Sequence, residues 1–245
     1  MSERTGALLA VLLSAGAAVA APPDVRAILT RAERVRAAFT EGVVTIRVTL
    51  SSGTAGAPAP PPARFEVAVK GKRSRLKFLE PGDEGKYVVM SASDTWLLLP
   101  TSKSPIRIPS SQRVRGGLSV SEISSLSFLD DYEGVVERED RLEERNCAVL
   151  RLAARKGAGV SYPVARVWVD EAEGLYRKAV FLLASGRTAK EVTFDAYGTE
   201  KGALVLRKMT IVDALRPGTT VVDYLDFAKR SVPDRWLDPA TAREE

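Results

Sequence analysis

The side chains of this sequence that could carry out chemistry are mostly carboxylates, and they are dense in two runs. One run is Asp130-Asp131-Tyr132-Glu133, and the other extends from Glu137 to Glu144. A glycosidase needs two carboxylates about 5–9 Å apart in one cleft, and calcium needs several oxygen ligands that converge from one loop. The first run lacks the glycine turn and the ligand spacing of an EF-hand loop. Because both runs flank predicted strands, where charged hairpin ends are common, we predict that the protein is not an enzyme.

The composition removes most other catalytic chemistry. The 245 residues include no histidine and one cysteine, Cys147, which excludes Ser-His-Asp and Cys-His mechanisms, His-ligated metals and Cys₄ zinc sites. A phosphate-binding loop is also missing, since Arg115-Gly116-Gly117 is too short and lacks a Lys-Ser/Thr pair. We therefore expect no cofactor and no metal. Cys147 begins an apolar run that follows a polar turn, and it is expected to pack as a small hydrophobic residue.

The first twenty residues have the pattern of a secretory signal peptide. Arg4 precedes an apolar run from Ala7 to Leu13, and the segment ends in Ala18-Val19-Ala20, an A-x-A cleavage pattern. The run is shorter than the roughly 20 apolar residues that cross a bilayer. An N-terminal helix of the fold is the alternative, but prolines follow directly. We predict cleavage near Ala20 and a periplasmic protein. A lipid anchor would need a cysteine at the cleavage site, and Cys147 lies far from it, so we expect no lipid anchor.

The predicted mature chain, residues 21–245, is expected to form a single monomeric domain. Its net charge stays at +5, because the signal peptide contains one acid and one base, Glu3 and Arg4. The charges are spread along the chain, and no nucleic-acid-binding module is recognisable. A basic exported protein is better suited to transient contact with anionic membrane surfaces than to nucleic acid.

An amphipathic helix is predicted at the start of this domain. Asp24 can cap a helix that runs to about Phe39. The apolar residues fall on one stripe of that helix, and they are Val25, Ile28, Leu29, Ala32, Val35 and Phe39. We expect the stripe to pack on a sheet.

From Gly42 onward the apolar period changes from 3.6 to 2, which is typical of strands. We predict strands at 44–50, 65–69, 75–78, 87–90, 95–99 and 106–108, and after an interruption at about 131–138, 146–154, 163–170, 175–183, 189–197, 203–212 and 219–228. Turn signals separate most of them, which indicates a meander of hairpins. Residues 51–63 are rich in Gly, Ala and Pro and are predicted to form a long flexible hairpin loop.

So many hairpins must curl, because a flat sheet would expose a large apolar face. The predicted fold is mainly β (α+β): a strongly curved antiparallel half-barrel of about 11 strands, with the N-terminal helix and a short helical lid covering its concave face. The lid is predicted from Ser119-Val120-Ser121-Glu122, a capping-box pattern. Ile123, Leu126 and Phe128 would give it an apolar side.

Four segments, in this order, resemble a known family. They are Arg75 to Pro81, Asp94 to Pro100 with Arg107-Ile108-Pro109, Ser119 to Ile123, and Val167 to Asp170 with Gly186 to Phe194. They resemble the periplasmic lipoprotein carriers of the LolA/LolB superfamily, and most closely the branch of outer-membrane lipoprotein-sorting-like proteins. The resemblance covers residues 24–240.

The resemblance implies a carrier that holds acyl chains of lipoproteins or phospholipids in an apolar groove and sorts them toward the outer membrane. Burying an acyl chain gains about 0.8 kcal/mol per CH₂, so such a groove can replace the bilayer. An RND-type inner-membrane transporter is the partner that the resemblance implies. The alternatives are an envelope sensor or regulator that binds lipoproteins, and an accessory lipid-binding subunit of an RND-type transporter.

The predicted groove residues are the apolar members of the early and middle strands and of the lid. They are Ile46, Val48, Phe65, Val67, Leu76, Phe78, Met90, Trp96 and Leu98, with Ile123 and Leu126 from the lid. Arg47 is predicted to fasten the lid through hydrogen bonds to backbone carbonyls, as an arginine does in similar carriers; a solvent-facing role is its alternative. A period of two does not show which face of each strand lines the groove, so core packing stays open for every one of these residues.

Overall fold

The computed structural model describes residues 24–51, 58–91, 94–109, 111–115, 118–119 and 127–243. The predicted signal peptide and the predicted lid residues Ile123 and Leu126 lie outside these ranges. Within them, no helix combines the length and the apolar character needed to cross a membrane.

The predicted N-terminal helix is confirmed as α1, Val25–Arg36. The Asp24 carboxylate caps it by accepting a hydrogen bond from the Arg26 amide at 2.9 Å. The helix ends before the predicted Phe39, because Ala38 has a left-handed backbone with φ 53°. A second helix, α2, is a single turn at Phe128–Asp131, and a 3₁₀ turn follows at Asp234–Leu237.

Strands make up most of the remaining chain. They are β1 Glu41–Leu50, β2 Ala63–Lys70, β3 Arg73–Phe78, β4 Tyr87–Ser91, β5 Asp94–Leu98, β6 Ile106–Ile108, β7 Arg113–Arg115, β8 Leu118–Ser119, β9 Tyr132–Leu142, β10 Arg145–Ala154, β11 Val164–Asp170, β12 Tyr176–Leu182, β13 Thr188–Glu200, β14 Ala203–Asp213 and β15 Thr219–Ala228. Every predicted strand position is occupied. All thirteen of these positions belong to the large sheet, which therefore has more strands than the predicted half-barrel of about 11. The β7–β8 ribbon lies where the sequence predicted an interruption.

Thirteen strands form one antiparallel sheet in the order β6-β5-β4-β3-β2-β1-β15-β14-β13-β12-β11-β10-β9. Each strand pairs with its sequence neighbour, except that β1 also pairs with β15, for example Val48 with Val222. This pairing joins two meanders at the centre of the sheet. The sheet is not closed, and its edges are β6 and β9.

The sheet curves around one large apolar cluster. Phe65 on β2, Met90 on β4, Leu150 on β10 and Phe181 on β12 belong to this cluster although their strands are far apart in the sheet. We call it the inner cluster, and the sheet face that supplies it the inner face. Leu29 and Ala32 of α1 complete the cluster, which confirms that the helical stripe packs on a sheet.

A C-terminal segment, residues 230–243, covers part of the opposite or outer face. Its Val232 and Leu237 pack against Val43 and Ala68. Its Ala242 packs in a separate cluster with apolar side chains of β4 and β5. This covering segment was not predicted, because residues 230–243 have neither a clear helical nor a clear strand period.

Candidate functional site

The inner face holds most of the predicted groove residues together. Six are buried in the inner cluster, and these are Ile46, Val48, Phe65, Val67, Leu76 and Met90. Phe78 is partly buried against the same cluster, and its ring lies edge-to-face on Phe65 at a centroid distance of 5.1 Å. The strand alternation therefore brings seven of the predicted side chains to one surface.

Trp96 and Leu98 lie on the outer face instead. Trp96 pairs with Val89 across β4 and β5. Trp96, Val89 and Leu98 all belong to the cluster that Ala242 covers. Leu97, between them in sequence, packs against the inner cluster. Because successive strand residues point to opposite faces, Trp96 and Leu98 are separated from the other predicted groove residues by the thickness of the sheet.

Arg47 also lies on the outer face, between the inward-facing Ile46 and Val48. Its Nε and Nη2 donate to Asp223 Oδ2 on the neighbouring β15 at 3.2 and 3.1 Å. The guanidinium side chain is 47% exposed. This geometry corresponds to the solvent-facing alternative and not to a contact with a lid over the inner face.

The approaches to the predicted lid lie over the inner face, although Ile123 and Leu126 themselves are outside the described residues. Leu118 of β8 is fully buried in the inner cluster, and Val114 of β7 packs against it. Phe128 of α2 stacks on Phe181 at 5.9 Å and contacts the Tyr176 ring at 5.2 Å. The chain is therefore held against the inner face on both sides of residues 120–126.

A buried polar group ties α1 to the sheet. Tyr176 Oη donates to Glu33 Oε2 at 3.0 Å, and Arg36 Nε donates to Glu33 Oε1 at 2.9 Å. Tyr197 Oη donates to the Tyr176 carbonyl at 2.6 Å. Burial, together with the Glu33 carboxylate, holds the pKa of Tyr176 well above its usual value. The phenol therefore stays neutral and keeps donating to Glu33.

One cavity opens beside this polar group, where α1 ends. It has a volume of about 310 Å³, and we call it the α1-end cavity. Its lining comprises Glu33, Arg36, Ala37, Ala38, Phe39, Thr40, Val44, Val67, Val69, Gly71, Lys72, Ser127, Asp130, Tyr224 and Phe227. The volume lies at the lower end of the range of small-molecule sites, roughly 300–1,000 Å³.

Gly42 on β1 shapes this cavity. A Cβ at this position would lie 2.6 Å from the Phe39 ring and 2.7 Å from the Ala228 carbonyl. The missing side chain lets Phe39 fold back over the strand, where its ring meets Phe227 edge-to-face at 6.4 Å. Phe39 and Phe227 were not predicted as lining residues, and Phe39 was expected on the helical stripe instead.

A narrow apolar slot adjoins the α1-end cavity. It measures about 30 Å³ and is lined by Arg36 together with Phe128, Phe181, Val192, Phe194, Met209 and Ile211. Arg36 lines both spaces, so its side chain lies at their junction. Burial alone would lower the pKa of Arg36, but the neighbouring Glu33 carboxylate raises it above the ordinary value. Arg36 therefore remains charged.

A larger cleft of about 820 Å³ lies between the first turn of α1 and the edge strand β9. Apolar and charged groups alternate around it. It is lined by Asp24, Val25, Arg26, Leu29, Leu129, Tyr132, Glu133, Gly134, Val135, Val136, Arg138, Glu139 and Arg155. Val135 is 61% exposed there. The cleft gives the inner cluster an open side along the unpaired edge of the sheet.

Acidic side chains of both runs pair with arginines that lie just after β10 or on β11. Glu133 accepts from Arg155 at 2.8 Å and Glu137 from Arg166 at 2.8 Å. Asp140 accepts from the Trp168 indole N–H at 3.0 Å, and this bond lowers its pKa. In the part of the chain that the structure describes, no three metal-ligating side chains come together.

Asp170, which ends one of the four family-like segments, organises a hairpin turn. Its Oδ1 accepts from the amides of Ala172 and Glu173 at 3.0 Å, and its Oδ2 accepts from Arg145 and Arg177 at 3.1 Å. Burial opposes ionisation, but these hydrogen bonds outweigh it and lower the pKa of Asp170. The carboxylate therefore has a structural role between β11 and β12.

Three solved structures share this curved, helix-covered sheet. A LolA superfamily protein from Nitrosomonas europaea is 25% identical, with a TM-score of 0.79 over 87% of this chain and 96% of that one. A DUF1329 family protein from Desulfovibrio piger is 19% identical with a TM-score of 0.73 over 87% and 95%. A domain described as an outer membrane lipoprotein-sorting protein, from Vibrio parahaemolyticus, is 16% identical with a TM-score of 0.72 over 89% and 96%.

These likenesses define the class: the fold is that of the LolA superfamily and of the lipoprotein-sorting domains. A family model described as an uncharacterized protein matches residues 70–241, more than half of the chain, and the chain belongs to that family. No curated protein matches the sequence.

Proposed function

We propose that this protein is a periplasmic carrier that binds acyl chains of lipids or lipoproteins on its inner face. The observation that carries the proposal is the inner cluster, a continuous apolar surface roofed by α1 and α2 and adjoined by the α1-end cavity and the large cleft. Apolar surface next to open volume is what an acyl chain needs, since each buried CH₂ contributes about 0.8 kcal/mol. The LolA superfamily fold supports the same function.

Native mass spectrometry tests this function directly. The full chain, expressed with its own leader and purified from an envelope fraction, should carry phospholipid or acylated peptide. A chain that never retains lipid, under conditions in which a LolA superfamily carrier does, would refute the proposal. The mass of the purified chain also tests cleavage near Ala20.

Fluorescence provides a second test, designed around the position of the tryptophans. Trp96, Trp168 and Trp236 all belong to clusters on the outer face, so an inward-facing probe must be introduced. Val69 lines the α1-end cavity, and V69W should report added acyl lipid by a blue shift. V221W is the matched control, because Val221 alternates with the inward-facing Val222 on β15 and should show no response.

The transfer partners are proposed from chemistry and family resemblance. The net charge of +5 supports brief contact with anionic membranes, and an RND-type transporter is the proposed exchange partner. Sedimentation with anionic vesicles should fall steeply between low and physiological salt. Retention of lipid-loaded protein by transporter-containing vesicles, but not by empty ones, tests the second partner.

A further inference from the structure

We propose that the α1-end cavity recognises the ester end of a neutral acyl lipid, with the Tyr224 hydroxyl donating a hydrogen bond to the ester carbonyl oxygen. This inference rests on the proposed function and goes further by naming the part of the lipid that this cavity selects. Four properties of the cavity lead to it: an underused donor, the direction of that donor, a balanced set of charges, and apolar walls.

The Tyr224 hydroxyl is a partly buried donor with a weak acceptor. It points to Met209 Sδ at 3.6 Å, and a thioether sulfur accepts hydrogen bonds poorly. Burial raises the pKa of Tyr224, so the phenol keeps its proton at physiological pH. A ligand that brings a carbonyl oxygen into the cavity would give this donor a much better acceptor.

Tyr224 points to the inner face because it alternates with the inward-facing Val222, and a bulge in β15 brings Phe227 to the same face. The register with β1 shifts between Ile46, opposite Tyr224, and Thr45, opposite Asp226, so that Leu225 is the additional residue. Without this shift, Tyr224 and Phe227, three positions apart, would point to opposite faces. With it, both line the α1-end cavity, while Leu225 is 41% exposed.

The charges around the cavity are balanced. Arg36 is bound to Glu33, and Lys72 Nζ lies 3.6 Å from Asp131 Oδ1 and 4.0 Å from Asp130 Oδ2. A carboxylate or phosphate ligand would gain no excess of positive charge here and would face two acids of the lining, Glu33 and Asp130. A neutral ester needs a hydrogen-bond donor and no counter-ion, which is what Tyr224 provides.

The remaining walls suit the carbon chain that an ester carries. Val44, Val67 and Val69 of β1 and β2, together with the rings of Phe39 and Phe227, form its apolar lining. The adjoining slot includes Met209, the residue next to the Tyr224 hydroxyl. A volume of about 310 Å³ accommodates an ester group with part of one chain, while the large cleft along β9 is available for the rest.

The test compares an ester with the ether that lacks its carbonyl. A monoacylglycerol and the 1-O-alkylglycerol of equal chain length are titrated, below micelle formation, into the wild-type protein, Y224F and Y197F. Tyr197 is the matched control, because its partly buried hydroxyl donates to the Tyr176 carbonyl and does not line the cavity. Urea unfolding of each variant shows that it is folded.

We expect the wild type and Y197F to bind the ester about 3- to 10-fold more tightly than the ether, and Y224F to bind both equally. Equal binding of ester and ether by the wild type would overturn the ester assignment and leave lipid binding intact. So would a preference that persists in Y224F, or tighter binding of the free fatty acid anion than of the ester. Failure of the folded wild type to bind any of these lipids would instead remove the proposed function.

Discussion

The two faces of the large sheet are covered by different means. The inner face meets α1 and α2 through one continuous apolar cluster, and cavities remain where the roof ends. The outer face is divided into small clusters, and the C-terminal segment is attached there through directional bonds. Buried Arg75, for example, donates to the Ala242 carbonyl at 2.9 Å and stacks on Trp236 at 4.0 Å.

This difference separates a face held by non-directional contacts from a face held by directional bonds. Apolar contacts have no preferred direction, so α1 and α2, which are held mostly by such contacts, can shift over the inner face. Hydrogen bonds and ring stacking require fixed geometry, so the C-terminal segment keeps the outer face constant. Arg243 adds to this attachment by donating to the carbonyls of Leu99 and Ser102 at 2.9 and 2.8 Å.

The largest expected effect is on the inner face, with F128A. Phe128 is 1% exposed and packs among Tyr132, Tyr176 and Phe181. Removing its ring should lower the free energy of unfolding by about 3–5 kcal/mol, measured in urea. Lipid binding should persist, because the void adjoins the apolar slot. A loss below about 1 kcal/mol would show that Phe128 does not anchor the roof.

On the outer face, R75L should lower the free energy of unfolding by about 2–4 kcal/mol without changing lipid affinity. The variant loses the bond to Ala242, the stacking on Trp236 and the contact with Glu66 at 3.7 Å. Limited proteolysis should then cut within residues 230–243. R64L is the control, because Arg64 forms an exposed ion pair with Glu80 that should contribute no more than about 1 kcal/mol. Altered lipid affinity in R75L would show that the faces are coupled.

The polar tie of α1 should show a pH dependence. At pH 7, Y176F should lose about 1.5–3 kcal/mol, because Glu33 loses a hydrogen bond. The folded protein raises the pKa of Tyr176 above the unfolded value of about 10. The wild type therefore keeps this stabilisation below pH 10 and loses it as the pH rises further. The difference between wild type and Y176F in urea unfolding should shrink above pH 10; a constant difference would contradict this.

The smallest expected effect on stability is at the C-terminal end of α1. Ala38 has a φ of 53°, whereas its neighbour Ala37 has a φ of −78°. A38G should raise the free energy of unfolding by about 0.5–1 kcal/mol, since glycine adopts the left-handed region without strain. A37G is the matched control and should lower it by a similar amount. Equal effects of the two changes on the melting temperature would contradict the assigned backbone.

The strand positions could be predicted from the sequence because alternation is a local signal. In β1, the apolar Val44, Ile46 and Val48 alternate with polar residues, and all three face inward. The helix could be predicted for the same reason, from its stripe and from Asp24. The left-handed Ala38 leaves no such pattern, so the end of the helix was placed too late.

Which face of the sheet a strand residue points to could not be predicted, because it depends on contacts between residues that are distant in the chain. Trp96 and Leu98 on β5 have the same alternating spacing as Val88 and Met90 on β4. The C-terminal segment covers Trp96 and Leu98, whereas Val88 and Met90 belong to the inner cluster. The inward direction of Phe227 depends on a register shift against β1. Neither the covering segment nor the shift has a period that a sequence could reveal.

The pairing of β1 with β15 also has a consequence for the order of assembly. The meander β1–β6 and the meander β9–β15 each consist of sequence neighbours, so both can form early from local contacts. Their junction brings together residues such as Arg47 and Asp223, which are 176 positions apart. Until residues 219–228 are available, one edge of β1 stays unpaired, while its other edge pairs with β2. The last strand is thus the step that joins two sheets with exposed edges into one sheet.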